Sequence, residues 1–283
     1  MCETVSLTPR AALALLAFTA ALATPWAGPP RAAGPALPTP VVDVAPHRAV
    51  YVMTLASAKS ASQVVSARGL LSFEWGDSCD GWTIEQRYKL QLSFAQQVEV
   101  EITTNYITWE SKDGTLYRFK VRKTKNGKPE EEVSGEAQLE GPGKAGAADF
   151  RLPKKNAMTL PPGTLFPTQH TIVLLERALA GERMVPRFVF DGATPEGAAN
   201  VSALIGRPLP PAADDAQSFM KRPGWYMRLA YFGADKKDSA EPDYEIGMDL
   251  QDNGIARAIR LDYSDFSIKG TLEKVELLPK PAC

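Results

Sequence analysis

The sequence predicts a mainly β protein: a single large antiparallel sheet, coiled or bent into a barrel-like form, with one or two short helices. Three observations carry this. A two-residue period of apolar side chains runs through both halves of the chain. Asp-Gly and Asn-Gly turn signals separate the periodic runs. No sequence repeat of larger period occurs, which argues against a propeller or a solenoid.

The first residues belong to no fold element. Arg10 closes a short polar stretch, and an apolar run follows from Ala11 to Ala23. At about 13 residues it suits a secretion signal and is too short to span a membrane. Residues 1–33 are therefore expected to form a cleaved leader, cut near Ala23 or near Ala33. The alternative, an uncleaved anchor, has no second apolar stretch to extend it. Pro and Gly crowd positions 25–40, so residues 34–43 are expected to be a linker. Residues 44–283 are expected to form one domain.

Strands are expected at 48–56 and 63–75. From Trp82 to Phe94 six of the seven even positions are apolar and every odd position is polar. That pattern is a long strand with one buried face. Val98, Val100 and Ile102 continue the style, and the phase then passes to Ile107 and Trp109. A bulge near Thr103–Asn105 is the expected cause. Lys112-Asp113-Gly114 and Asn126-Gly127 mark hairpins, so 81–140 is expected to be a meander. Thr168 as N-cap, helical spacing over 170–180 and Gly181 as the terminating glycine predict one helix, with Ile172, Leu175 and Leu179 inward. A strand is expected at 183–190, where Pro186 suggests an edge. Residues 195–216 are Pro/Gly/Ala-rich and are expected to be weakly structured. Four more strands, 222–232, 243–250, 254–262 and 266–277, close the chain, with Asp252-Asn253-Gly254 as a further hairpin. A sheet this wide must close, split or coil to bury its faces.

Composition narrows the function. Hydrophobic residues make up 44% and charged residues 23%, with net charge −1. That is an ordinary globular balance with no broad basic field for nucleic acid. Three cysteines occur, and Cys2 leaves with the leader. The two that remain, in an oxidising compartment, predict a Cys79–Cys283 disulfide tying the last residue to an early strand. The alternative is two free thiols.

Catalytic motifs are scarce. The sequence holds two histidines, His47 and His170, with no Cys/His cluster for a metal. Phosphate-binding glycine loops and the G-x-S-x-G elbow are absent. Gly76-Asp77-Ser78 resembles the G-D-S of trypsin-like proteases, but Cys79 and Asp80 replace the two glycines that follow there. His170 with Glu176 and Asp191 makes a weak acid–base set, since six residues on one helix do not share a face. The expectation is a protein without enzymatic activity, cofactor or metal.

Two surface features suggest binding. Arg118, Lys120, Arg122, Lys123, Lys125 and Lys128 are expected to form a solvated face and hairpin tip, with anionic headgroups or an acidic partner as the alternative. Trp82, Tyr88, Trp109 and Trp225 are expected to be core, or else a ligand or partner face on a concave sheet that holds a lipid or lipoprotein acyl chain.

Four runs together resemble a known family. They are A-P-H-R-A-V-Y at 45–51, G-x-L-x-F-E-W-x-x-x-C-D-G-W at 69–82, P-x-G-T-L-F-P-T-x-H at 161–170, and F-D-G at 190–192. This resembles the EipB family of cell-envelope integrity proteins. The resemblance implies a periplasmic β-spiral with flanking helices and one disulfide, which Cys79 and Cys283 match in order. It further implies a role in maintaining the envelope under stress, a link to a periplasmic tetratricopeptide-repeat protein, and no catalysis. A monomer that binds other periplasmic proteins is the expected working form.

Overall fold

The structure is a computed structural model that describes residues 42–283, except 97, 213, 214, 216 and 235–238. The expected leader, its cleavage sites and nearly all of the 34–43 linker lie outside the described residues.

The first meander holds β1 (His47–Ala58), β2 (Val64–Asp77), β3 (Gly81–Phe94), β4 (Glu99–Ser111), β5 (Leu116–Lys125), β6 (Lys128–Leu139), β7 (Gly146–Leu152) and β8 (Asn156–Leu160). The short β9 (Thr164–Leu165) leads into α1 (Pro167–Leu179). The second meander holds β10 (Met184–Val189), β11 (Ala199–Leu209), β12 (Gly224–Phe232), β13 (Tyr244–Gln251), β14 (Ala256–Asp262) and β15 (Phe266–Leu277), with a 3-10 turn at Ser218–Met220. All strands join one 15-stranded sheet in the order β8 through β1, then β15 back to β9. The antiparallel β1–β15 pair sits at its centre and joins the two ends of the domain.

The local reasons are those of the sequence pattern. In β5, Tyr117, Phe119 and Val121 are buried while Arg118, Lys120 and Arg122 are exposed. The β5–β6 turn places Asn126 and Gly127 at φ 51° and 73°, the left-handed pair that a tight hairpin needs. β10 pairs with β11 along its whole length but with β9 only at Phe188 and Val189. Pro186 therefore stands on an edge, where its missing N–H costs no ladder bond.

The sheet is nearly closed into a barrel. Its two edge strands, β8 and β9, follow one another in the chain through Pro161-Pro162-Gly163 but share no ladder. Side chains close the seam: Phe166, Phe190 and Ala198 join Tyr117, Phe150 and Leu160 in one buried cluster. Helix α1 lies against the inner face of both halves. Leu174, Leu175 and Ala178 pack with residues such as Val201, Met227 and Leu250 of the second meander. Ile172 packs against Val44, Trp75 and Ile84 of the first.

Three expectations are corrected. β4 has no bulge at 103–105; its register with β3 and β5 is unbroken. Tyr106, Thr108 and Glu110 keep the inner face, and Ile107 and Trp109 simply face outward, Ile107 half exposed at 50%. Residues 195–216, expected to be weakly structured, hold the strand β11 over Ala199–Leu209, half of that segment. Val201, Ala203 and Ile205 alternate inward under α1, where small residues let the helix approach. Thr168 is not the N-cap. Phe166 is the cap residue, Pro167 opens the helix, and Leu179 stays exposed while Leu174 and Leu175 are buried. Gly181, at φ 78°, does end the helix in the left-handed conformation.

Candidate ligand trough on the inner face

The helix fills the inner face unevenly. On the first wall Leu71, Phe73, Tyr88 and Ile102 pack on the core yet stay partly accessible, as do Ile259 and Leu261 of β14. On the second wall Tyr231, Ile246 and Met248 do the same. Cross-strand partners such as Met248↔Ile259 and Ile246↔Leu261 set these residues in continuous inward rows. A filled core would remove such side chains from solvent. Here the rows form an inward apolar wall that keeps some accessible surface, the kind of lining that a ligand trough needs.

Tyrosines gather in this part of the interior. Tyr106 of β4 and Tyr117 of β5 both donate to the Asp191 carbonyl, at 2.6 and 2.8 Å, and their hydroxyls are 2.5 Å apart. Tyr231 and Tyr244 stack at 4.6 Å between centroids. Burial pushes the phenol pKa of Tyr106, Tyr231 and Tyr244 up, so each holds its proton, and the Asp191 charge adds to the effect. The Tyr88 hydroxyl is buried with no hydrogen-bond partner among the described residues. Burial, and then the nearby Tyr263, raise it as well. Rings from β4, β12 and β13 thus approach Asp191, which lies in the loop after β10.

The F-D-G run now has a physical account. Phe190 is fully buried in the seam cluster. The Asp191 carbonyl accepts from the two tyrosines, and its Oδ1 accepts from Ala193 N–H at 2.9 Å. Gly192 sits at φ 67° directly over the Phe119 ring, which a Cβ there would overlap.

Glu110 anchors the helix from the opposite wall. It is buried at 1% exposure and accepts from Thr168 N–H at 2.8 Å and Gln169 N–H at 2.7 Å. A carboxylate on β4 thereby caps a helix N-terminus whose own sequence supplies no capping side chain. Burial pushes the Glu110 carboxyl up to about 7, against the opposing effect of those backbone bonds.

The sequence-derived residues fall as follows. Cys79 and Cys283 form a disulfide with S–S 2.00 Å and Cα–Cα 5.8 Å. Trp82 faces inward, meets Trp75 edge-on at 5.9 Å and carries the Lys112 ammonium 2.9 Å from its ring centroid. Tyr88 lies on the trough wall, and Trp225 packs against the cluster that holds α1. Trp109 does not share their face. It lies outside over Gly81, donates to Ser78 Oγ at 3.1 Å and receives the Arg118 guanidinium at 5.0 Å. Strand parity sets this, since Trp109 neighbours the buried Thr108 and Glu110. The four aromatics therefore form no single face.

The remaining candidates have structural roles. Lys120 and Arg122 pair with Glu132, and Lys123 with Glu130, so much of the basic strand is neutralised by β6. Ser78 belongs to the outer turn that presents Cys79, and its hydroxyl lies beside Asp80 at 3.4 Å. His47 turns inward, with Nδ1 2.8 Å from the Ala45 carbonyl and its ring 5.5 Å from Phe73. His170 is buried, and burial first, then Arg187, push it down to about 4. It is neutral at ordinary pH. Glu176 points elsewhere on the helix. Among the described residues no three or more His, Cys, Asp or Glu side chains gather as a metal site. Sequence reasoning missed Glu110, Tyr106 and Tyr117. Inner-face parity on β4 and β5 was the available signal.

The architecture defines a class: a nearly closed single-sheet barrel, clasped by one disulfide and lined within by aromatic and aliphatic side chains. Comparison with known proteins then places it. The EipB-like family model matches residues 38–279. The cell envelope integrity protein EipB of Brucella abortus (strain 2308) is 32% identical over 259 residues, 89% of this chain and 90% of that protein. The crystal structure of a β-barrel-like protein of a domain of unknown function, also from Brucella abortus, superposes with TM-score 0.77 at 29% identity. That match covers 84% of this chain and 100% of the other. The chain belongs to the EipB-like family.

Proposed function

We propose that this chain is an exported, non-enzymatic periplasmic protein that maintains the integrity of the cell envelope by holding a long apolar chain, such as the acyl chain of a lipid or lipoprotein, in the inner trough. The name of the Brucella relative, a cell envelope integrity protein, supports the envelope assignment. The disulfide supports an oxidising compartment, and the Ala11–Ala23 run supports export. The observation that carries the trough reading is the inward apolar rows of β12–β14, which pack on the core yet stay partly accessible. An uncharged apolar dye such as phenylnaphthylamine should brighten on binding and be displaced by acyl amphiphiles. Met248→Glu or Leu261→Glu should weaken the dye by about tenfold or more, because a charge replaces apolar contact. An unchanged dye affinity in both variants, or no dye binding at all, would overturn the trough reading.

A second reading has its own observation. The outer side of the β10 edge carries Met184 at 58%, Phe188 at 38% and Leu204 at 45% exposure. Such a stripe fits a protein partner, and the family resemblance suggests a periplasmic tetratricopeptide-repeat protein. Crosslinking in periplasm followed by pull-down should recover a partner that Met184→Glu loses. Recovery unaffected by that substitution would retire the outer stripe.

A further inference from the structure

Among the described residues, Asp191 is a buried acid with neither a basic partner nor a helix N-terminus facing it. Asp191 is buried deeply enough that desolvation raises its carboxyl, and its two bonds there are to backbone N–H groups. No Lys or Arg pairs with it among the described residues. This differs from the outer face, where the acids of β2, β6 and β13 meet basic partners, as in Arg48–Glu74, Arg122–Glu132 and Arg228–Glu245. It also differs from Glu110, whose charge faces a helix N-terminus.

The surroundings of Asp191 are aromatic. Tyr106 and Tyr117 hang from its carbonyl, and its charge reaches Tyr231 and Tyr244, whose rings lie parallel within 12°. Asp191, Tyr106, Tyr231 and Tyr244 all keep accessible surface at that depth, so a ligand can touch them. Tyrosine faces attract cations, and a carboxylate out of bulk water attracts them more strongly. Among the described residues no Lys or Arg acts on Asp191, so an anionic head there would meet its charge without a described cation beside it.

We propose that the trough takes an amphiphile with a cationic head, an amine or quaternary ammonium, seated between Asp191 and the stacked rings of Tyr231 and Tyr244, with its apolar chain along β13 and β14. This rests on the trough reading and specifies the head that the trough selects. The arrangement places the polar selection at the tyrosine end and leaves the chain to Met248, Ile259 and Leu261.

The test is isothermal titration of the exported protein with dodecyltrimethylammonium, monolaurin and laurate below their micelle concentrations. These probes share one chain length and differ in head charge. The ammonium probe should bind at least about tenfold tighter than monolaurin, with laurate weakest. Asp191→Asn keeps an acceptor for Ala193 N–H and should bring the ammonium probe down to the level of monolaurin, leaving monolaurin unchanged. Tyr244→Leu keeps the acid, removes a ring and should weaken the ammonium probe alone, which covers the case in which Asp191→Asn fails to fold. Equal binding of the three probes, or laurate binding best, would overturn the cationic head and leave the trough standing. If no probe binds, the trough reading itself fails and this inference falls with it.

Discussion

Glu110 shows how one side chain does work that the sequence around a helix does not advertise. The segment entering α1 has no acidic residue in its first turn and no side-chain cap of its own. The cap comes instead from β4, some sixty residues earlier in the chain. Its carboxyl is raised from 4.5 to about 7, so the folded state holds the proton more tightly than the unfolded chain does. The stabilisation from that difference is complete below about pH 4.5 and is lost as pH rises through about 7. Its full size is of order 3 kcal/mol. The urea midpoint of the wild type should therefore fall between about pH 4.5 and 8, and Glu110→Gln should flatten that fall. Parallel curves for the two proteins would show that Glu110 does not titrate in this range. At Gly192, Gly→Ala should cost about 1–3 kcal/mol, since the new methyl meets the Phe119 ring at a positive φ. A thermal melt that leaves Tm unmoved would contradict that packing.

Among the elements, α1 decides how much of the interior is filled. Leu175 is fully buried between the helix and the second meander. Leu175→Ala should cost about 2–5 kcal/mol in urea unfolding, against a few tenths for Leu179→Ala, because Leu179 is exposed at 42%. The contrast checks the corrected helix face directly. Most strands were legible from a period of two and from the Asp-Gly and Asn-Gly turns, because one buried face and tight hairpins write themselves into local sequence. β11 was not, since Gly206, Pro208 and small residues gave it the composition of a loop. Its strand state comes from partners on both sides, β10 and β12, and from the helix above it. β7 and β8 were missed because they are short and polar outside. The phase change in β4 was misjudged for a related reason. The inner face there carries polar anchors, Tyr106 and Glu110, while the outer face carries Ile107 and Trp109. Apolar alternation reports the core only where the core is apolar. The candidate site was legible in its single residues, Tyr88 and Asp191 among them, but not as a site, because its walls come from strands on both sides of the β1–β15 pair.

At the scale of the whole molecule, the two meanders are held together at the centre by β1–β15 and at the seam by side chains alone. The Cys79–Cys283 bond clasps the tail after β15 to the β2–β3 turn, across 204 residues of sequence. Lys280–Asp43, at 2.8 Å, draws the same tail to the start of the domain. Cross-linking so long a loop constrains the unfolded chain, and its loss should cost about 2–5 kcal/mol. Cys79→Ser, or reduction of the wild type, should lower Tm by several degrees, and calorimetry with equal melts would contradict the clasp. Within this clasped sheet the partly accessible apolar rows of β12–β14 face inward, and in the proposed function they hold an amphiphile. That central claim is tested most directly by native mass spectrometry of the protein isolated from its own periplasm. A retained adduct with the mass of an amphiphile, lost on substituting Met248→Glu, is the expected result. A clean mass for the unliganded, oxidised chain, before and after adding amphiphiles, would contradict it.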